Sequence, residues 1–218
     1  MWEENDKMGF SKLCRAGIGQ ITKNLFGSWI DKLCRDEKQV SYLEIGTWNG
    51  LGSTKCFVDA LITRKSPFIF YSLECNKEKS SYAASLYKNI SNVHILNEVI
   101  WNVEPDNFYD IFPHCKTNTI YKQWHKVDVE NMKECNLFLK RKDIPNIFDV
   151  VLLDGGEFTT YHEFQSLKTR CKYLLLDDTN SDKCKLIVKE IVSFPQTWQI
   201  LEHNKTERNG FLVCKRND

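Results

Sequence analysis

The sequence predicts an α/β protein, a three-layer α/β/α sandwich built on a mostly parallel, twisted sheet of seven strands. Two observations predict this class. Short apolar, β-branched or aromatic runs recur along the chain, and most are separated by segments with the hydrophobic spacing of amphipathic helices. Continuous apolar runs are typical of strands that are covered on both faces. Strands that alternate with helices indicate βαβ units with right-handed crossovers.

Each periodic segment is assigned to one element. The strands are predicted at residues 40–46, 68–74, 93–96, 148–154, 173–177, 198–201 and 211–214. The helices between them are predicted at residues 53–63, 77–88, 160–169 and 183–194. The last two strands flank the turn dipeptide Asn209-Gly210 and are predicted to close the sheet as a pair.

Two regions depart from this alternation. Residues 1–39 have helical spacing and are predicted as a leading helical cap, whose exposed apolar residues could mediate a homodimer. Residues 98–147 are long for one crossover and rich in aromatic side chains, and such insertions are usually functional. No linker or internal repeat interrupts the chain, so we predict a single domain over residues 1–218.

Composition excludes several classes of protein. The 30 Lys and Arg residues nearly balance 29 acidic residues, and a net charge of +1 disfavours a nucleic-acid partner. The longest apolar runs are too short to span a bilayer, and residues 1–10 do not form an apolar leader, so we expect a cytoplasmic location. The nine cysteines are scattered without a CxxC pair, and we expect reduced thiols.

The clearest local motif is a glycine-rich turn between the first strand and the following helix, which reads LEIGTWNGLGS from Leu43 to Ser53. Glycines there allow a tight turn and a close approach of the backbone to a ligand. The spacing is GxxxGxG, whereas a dinucleotide-binding turn would read GxGxxG. Glu74 ends the next strand, where a carboxylate can accept hydrogen bonds from both hydroxyls of a ribose.

These residues resemble the nucleotide-binding half of class I, Rossmann-like methyltransferases that depend on S-adenosylmethionine. The resemblance covers roughly residues 40–200 and implies that residues 40–97 form the cofactor-binding half. It implies that Glu74 holds the ribose and that Val99 lies at the adenine, with Asp128 as a rival. The loop residues implied to bind the methionine part of the cofactor are Glu44, Gly46, Thr47, Trp48, Gly50 and Ser53.

Carboxylates also follow two later strands of the predicted sheet. Asp154 ends one strand, and Asp177 with Asp178 ends the next. Because the carboxyl ends of parallel strands line one crevice, we expect the three side chains to converge there. Carboxylates that converge repel one another unless they are neutralised, and Mg²⁺ or a similar divalent cation would do this. Capping of the next helix by Asp177 and Asp178 is the competing interpretation.

An Asp-Gly after one strand and an Asp-Asp after the next resemble metal-dependent O-methyltransferases of small molecules and sugars. This resemblance implies that residues 148–218 form the acceptor and metal half, with Asp154 near the reacting hydroxyl. It also implies a small-molecule or glycan acceptor, for example a rhamnose-type sugar in glycan assembly. Those families often have Lys or His three residues after the first Asp, but this chain has Glu157.

The general base is therefore left open among Glu157, His162 and Asp154, with the absence of any protein base as the remaining alternative. Two other functions remain as alternative hypotheses. One is methyl transfer to nucleic acid or protein, although the sequence lacks an Asn/Asp-Pro-Pro-aromatic motif and a Pro-Cys motif. The other is a non-catalytic or NAD-binding Rossmann-like module, which the glycine spacing argues against in its NAD-binding form.

Overall fold

The computed structural model describes residue 21, residues 24–102 and residues 108–217. Most of the predicted leading cap, residues 1–20, lies outside the described residues. Within the described part of the chain, none of the helices has the length and apolar character needed to span a membrane.

The described helices, in chain order, are α1 (Leu25–Arg35), α2 (Ser53–Leu61), α3 (Lys77–Tyr87), α4 (Phe108–Ile111), α5 (Thr119–Lys133), α6 (Thr160–Leu167) and α7 (Asp182–Ser193). Short 3₁₀ turns cover Pro113–Thr117 and Phe138–Lys140. The strands are β1 (Ser41–Ile45), β2 (Ile69–Leu73), β3 (Val93–Leu96), β4 (Glu98–Val99), β5 (Asn136–Leu137), β6 (Phe148–Leu153), β7 (Cys171–Asp177), β8 (Trp198–Asn204) and β9 (Phe211–Arg216).

The main sheet has seven strands in the order β3-β2-β1-β6-β7-β9-β8. The pairs from β3 to β7 are parallel, and β9 is antiparallel to both of its neighbours. The order reverses direction between β1 and β6, which is the point where ligands bind in open α/β sheets. The carboxyl ends of β1, β2, β6 and β7 therefore surround one crevice.

Two apolar clusters cover the two faces of this sheet. Alternate residues of the central strands point into opposite clusters: Leu43 and Val151 belong to one, and Tyr42 and Val150 to the other. All six residues of β6 are buried, as expected for a strand with helices on both sides. The sequence prediction of a three-layer sandwich on a mostly parallel, seven-stranded sheet is confirmed.

Asp149 anchors the start of β6 to the start of β1. Its Oδ2 accepts hydrogen bonds from the backbone N–H groups of Val40 and Ser41 at 2.7 and 2.9 Å, and Lys172 lies 2.6 Å from Oδ1. Burial disfavours the charged form, but the Lys172 ammonium and these donors outweigh it and lower the pKa of Asp149. This end of the sheet is thus held by a structural carboxylate.

The insertion between β3 and β6 folds as a small unit of its own. Its strands β4 and β5 pair in parallel, and α5 packs its Val129 and Met132 against Val99. The strands β4 and β5 were not predicted, because two-residue strands carry no pattern, and the longer helix α5 was not predicted either. The eight cysteines among the described residues are free thiols.

Candidate active site

The glycine loop between β1 and α2 is held in a left-handed backbone conformation. The φ angles of Gly46, Trp48 and Gly50 are +100°, +50° and +74°. A Cβ on Gly46 would lie 2.2 Å from the carbonyl oxygen of Asp154. The first glycine is therefore required by the end of the neighbouring strand β6, because the two chain segments touch there.

Glu74 ties the end of β2 to this loop. Its Oε2 accepts the backbone N–H of Trp48 at 2.7 Å, and its Oε1 accepts the backbone N–H of Asn76 at 2.9 Å. Burial raises the pKa of Glu74 despite these donors. A carboxylate has about four acceptor sites, so capacity remains for two hydroxyl groups of a bound sugar ring.

Glu44 lies beneath the loop and is fully buried. Its Oε2 accepts hydrogen bonds from Thr54 at 2.6 Å and Ser72 at 2.5 Å, and the Ser72 hydroxyl also lies 2.5 Å from that of Thr47. Burial raises the pKa of Glu44, and its Oε1 has no hydrogen-bond partner. Ser53 is buried at the start of α2, next to this network. These hydrogen bonds connect the loop to β1, β2 and the start of α2.

Val99 and Asp128 both lie near the end of β2: Val99 belongs to a cluster that Cys75 packs against, and Asp128 is close enough to Glu74 to be affected by its charge. The Val99 side chain packs with Met132 and Cys135, and Asp128 Oδ2 would lie 2.8 Å from a Cβ on Gly156. Burial, followed by the charge of Glu74, raises the pKa of Asp128 to about 7. Both residues implied as adenine neighbours thus stay candidates for that role.

The three predicted acids do converge. Ligand oxygens of Asp154, Asp177 and Asp178 all lie within 4.8 Å of one another at the ends of β6 and β7. Asp178 has a φ of +56°, so the turn after β7 presents its carboxylate from a strained backbone position. The acids lie directly beside Gly46 through the backbone of Asp154.

Two cations from the protein already contact this acidic cluster. Lys183 Nζ lies 3.3 Å from Asp154 Oδ1 and 3.0 Å from Asp178 Oδ2. The Lys183 side chain is only 4% exposed, and the nearby carboxylates raise the pKa of Lys183 although burial opposes this. Arg208 lies 2.6 Å from Asp177 Oδ2. Lys183 and Arg208 therefore balance part of the negative charge of the three acids, which the sequence analysis did not predict.

Despite these two cations, burial and mutual repulsion still disfavour the ionised forms of Asp154 and Asp177. Burial raises the pKa of Asp154 well above its ordinary value, and Asp177 and Asp178 add to the effect. Burial also raises the pKa of Asp177, with the charge of Asp178 as the next cause. A carboxylate oxygen set of this kind fits a hard divalent cation, provided that Lys183 moves away from the carboxylates it bridges.

The two other base candidates line an adjacent crevice. Glu157, His162 and Lys183 are on its wall, together with the aromatic residues Phe112 and Phe158. Glu157 Oε2 is buried without a hydrogen-bond partner, and burial raises the pKa of Glu157. Lys183 belongs to both the crevice and the acidic cluster, so the two are contiguous.

His162 is held by a ring contact. It stacks on Trp101, with ring centroids 4.8 Å apart and an interplanar angle of 11°. The insertion adds a further aromatic group around Phe158, comprising Tyr109, Phe112, Tyr121 and Trp124. Of the aromatic residues in the insertion, Phe112 lines the crevice, and Tyr109 and Tyr121 contact Phe158 on its wall.

Sequence reasoning missed Lys183, Arg208 and Glu163. Lys183 has the i, i+4, i+8 spacing with Ile187 and Ile191, which are buried, so a charge on the apolar face of α7 was the available signal. Glu163 is likewise on the buried face of α6, beside Phe164. Arg208 had no such signal, because only the β8–β9 turn brings it to Asp177.

Comparison with solved structures shows the class of fold. The chain resembles an O-methyltransferase from Bacillus cereus in complex with S-adenosylhomocysteine, with a TM-score of 0.58, 15% identity, and coverage of 95% of this chain and 88% of that one. It also resembles the O-methyltransferase TomG from Streptomyces achromogenes in complex with S-adenosylmethionine (TM-score 0.56, 14% identity, coverage 91% and 82%). An rRNA methylase from Streptococcus thermophilus shares the fold at a TM-score of 0.51 and 6% identity, with coverage of 88% and 94%.

The fold is therefore that of Rossmann-like, class I methyltransferases, as the glycine loop and Glu74 predicted. No protein-family model matches the sequence, and no match was found among curated proteins.

Proposed function

We propose that this chain is an S-adenosylmethionine-dependent O-methyltransferase that acts on a hydroxyl group of a small acceptor. One observation carries the proposal. The glycine loop with Glu74 and the acidic cluster occupy the same edge of one sheet, and they touch at Gly46 and Asp154. Similar solved structures with this fold are O-methyltransferases bound to S-adenosylmethionine or S-adenosylhomocysteine, which supports the proposal.

The cofactor is assigned to the loop side of this edge. Glu74 would hold the ribose hydroxyls, since its carboxylate keeps acceptor capacity beyond its bonds to Trp48 and Asn76. The methionine part would lie along the loop from Gly46 to Ser53, which Glu44 supports from below. The adenine would lie near Val99, with Asp128 as the alternative contact.

The acceptor is assigned to the crevice beside the acidic cluster. In the reaction the acceptor oxygen forms a bond to the methyl carbon, the carbon–sulfur bond breaks, and S-adenosylhomocysteine leaves. The hydroxyl proton must pass to a base, and we assign this to Glu157. Its Oε2 is buried, has no hydrogen-bond partner, and belongs to the crevice wall. A raised pKa improves a carboxylate as a base.

A divalent cation, Mg²⁺ above all, is part of the proposal, with Asp154, Asp177 and Asp178 as its ligands. When bound there it would lower the pKa of the acceptor hydroxyl. Lys183 supplies a second possibility, because an ammonium that bridges Asp154 and Asp178 can orient an acceptor oxygen without a metal. Chelation separates the two: activity lost in EDTA and restored by Mg²⁺ supports the metal, whereas turnover that resists EDTA assigns the role to Lys183.

A sugar hydroxyl, such as that of a rhamnose-type deoxysugar in glycan assembly, is the proposed acceptor. The motif that resembles sugar O-methyltransferases supports it, and the net charge of +1 gives no attraction to RNA. Because an rRNA methylase shares the fold, RNA is the alternative acceptor against which the sugar should be tested. Methyl transfer from labelled S-adenosylmethionine should be measured on deoxysugars, catechols and ribosomal RNA in parallel, and label on RNA alone would overturn the sugar assignment.

The cofactor proposal is tested first by calorimetric titration of S-adenosylhomocysteine. We expect saturable binding by the unmodified chain and strong weakening in Glu74→Ala. Titration of NAD under the same conditions is the control. Tight NAD binding with no S-adenosylhomocysteine binding would make the chain a dinucleotide-binding module instead.

A further inference from the structure

A second cluster of possible metal ligands lies outside the acidic cluster. His114 Nε2 is 2.6 Å from Asp182 Oδ2, and Cys115 Sγ is 3.6 Å from the same oxygen. The ligand atoms of all three residues lie within 4.8 Å of one another. None of these residues has a role in the methyl transfer proposed above.

We propose that His114, Cys115 and Asp182 form a binding site for a transition-metal ion, with Zn²⁺ as the best match. An imidazole nitrogen, a thiolate sulfur and a carboxylate oxygen together suit a borderline-soft ion, whereas Mg²⁺ and Ca²⁺ prefer oxygen ligands alone. Three protein ligands with a fourth position for water are typical of zinc sites that are open to a substrate.

The distances suit a tetrahedral ion after a small adjustment. Zinc–ligand bonds of about 2.0–2.3 Å place neighbouring ligand atoms roughly 3.3–3.8 Å apart in a tetrahedron. The 3.6 Å separation of Cys115 Sγ and Asp182 Oδ2 already falls in this range. The 2.6 Å contact of His114 with Asp182 would have to widen. The exposed His114 side chain can make that movement, because 64% of it is accessible to solvent.

The carboxylate of Asp182 is already oriented for this role. Lys185 Nζ is 2.5 Å from Oδ1, which leaves Oδ2 directed at His114 and Cys115. A hydrogen-bonded partner that fixes a ligand in this way is a regular feature of metal sites. The Asp182 and Cys115 side chains are buried, whereas His114 is exposed and gives an ion a path of entry.

Because of the position of the cluster, a bound ion would connect two parts of the chain. His114 and Cys115 belong to the 3₁₀ turn Pro113–Thr117 of the insertion, and Asp182 is the first residue of α7. A bound ion would clamp the insertion onto the half of the chain that carries the acids. Asp182 also lines the crevice with Glu157 and Lys183, so the proposed ion would lie beside the region proposed for the acceptor.

Cobalt titration of the purified full chain tests the site, since Co²⁺ reports its ligands by absorption. After treatment with EDTA and desalting, we expect a single equivalent of Co²⁺ to give tetrahedral d–d bands and a sulfur-to-cobalt charge-transfer band. Zn²⁺ should then displace it. The charge-transfer band should vanish in Cys115→Ser, and His114→Gln should weaken apparent affinity at least about tenfold.

Matched variants separate this site from other ligands in the chain. Cys56→Ser and His203→Ala, which change half-buried residues remote from the cluster in sequence, should leave the cobalt spectrum unchanged. Asp154→Asn should leave the charge-transfer band unchanged, because that residue belongs to the other cluster, which has no sulfur ligand. A charge-transfer band that persists in Cys115→Ser, or no such band in the unmodified chain, would overturn the proposal. His114→Gln changes an exposed side chain, so its result does not depend on a variant that fails to fold.

Discussion

Gly46 and Asp154 are in contact at the switch point of the sheet: a methyl group on Gly46 would come within 2.2 Å of the Asp154 carbonyl oxygen. The backbone N–H of Asp154 also donates to the carbonyl of Ile45 at 2.9 Å. The first glycine of the loop proposed to bind the cofactor thus touches the first acid of the half proposed to bind the acceptor. A change at either residue is expected to affect the other half of the site.

We predict that Gly46→Ala destabilises the chain by about 3 kcal/mol or more, because it combines a positive φ with a backbone clash. Urea denaturation measures this loss. Gly156→Ala is the matched control, because the atom it would meet is the Asp128 carboxylate, which can move. Equal losses in the two variants would contradict the assigned contact.

Glu74→Gln should weaken S-adenosylhomocysteine binding by about 10- to 100-fold, which corresponds to the loss of charged hydrogen bonds worth about 1.5–3 kcal/mol. The amide nitrogen of glutamine would also face one of the two backbone N–H donors at Trp48 and Asn76. Calorimetry measures the change. Glu78→Gln, at an exposed position in the first turn of α3, should bind as the unmodified chain does.

Lys183→Met should destabilise the fold by about 3 kcal/mol at neutral pH, because it leaves two half-buried carboxylates without their shared, buried cation. This loss of stability should be smaller at low pH, since protonation of Asp154 removes the unpaired charge of that carboxylate. Thermal unfolding at pH 5 and pH 8 measures both effects. Lys189→Met, at an exposed position of the same helix, is the control, and a pH-independent deficit in Lys183→Met would refute the charge argument.

Glu163→Gln should stabilise the chain at pH 8 and change little at pH 4. Burial raises the pKa of Glu163 to about 7 from an ordinary value of 4.5, so the folded state favours the protonated form. The stability that this proton contributes is complete below about pH 4.5 and is lost as the pH rises through about 7. Glutamine keeps the acceptor for the Thr159 hydroxyl, which lies 3.0 Å from Glu163 Oε1, but does not ionise.

Urea denaturation of both chains across this pH range measures the difference directly. The difference in free energy of unfolding should grow with pH and level off above about 7. Gln165→Glu, which changes a neighbouring residue of α6 in the opposite sense, is not expected to reproduce this profile. A constant difference at every pH would show that folding does not raise the pKa of Glu163.

The strands and most helices could be predicted because burial on both faces leaves continuous apolar runs. The runs ending at Ile45, Leu73 and Leu153 were all placed within a residue or two of the observed ends. The convergence of Asp154 with Asp177 and Asp178 was predictable for the same reason, since parallel strands end at one edge. Periodicity predicted one or two helices within residues 1–39 without giving their bounds; α1 lies in that range, and most of the rest of the range lies outside the described residues.

The charge balance of the site could not be predicted in this way. Lys183 and Arg208 reach the acids from a helix and from a distant turn, and their contacts depend on tertiary packing. The sequence therefore suggested a metal as the only source of positive charge, whereas the fold supplies two cations of its own. His114 and Cys115 had no interpretation either, because their partner Asp182 is more than sixty residues away.

The turn between β8 and β9 has a consequence for the order in which the chain folds. Glu207 in this turn accepts the backbone N–H groups of Leu25 and Phe26 at 3.2 Å, and the next residue, Arg208, pairs with Asp177. Contacts that span 181 and 182 residues form late, because a long loop must close first. The Arg208–Asp177 pair spans only 31 residues, so the acidic cluster can acquire its guanidinium before the same turn docks onto α1.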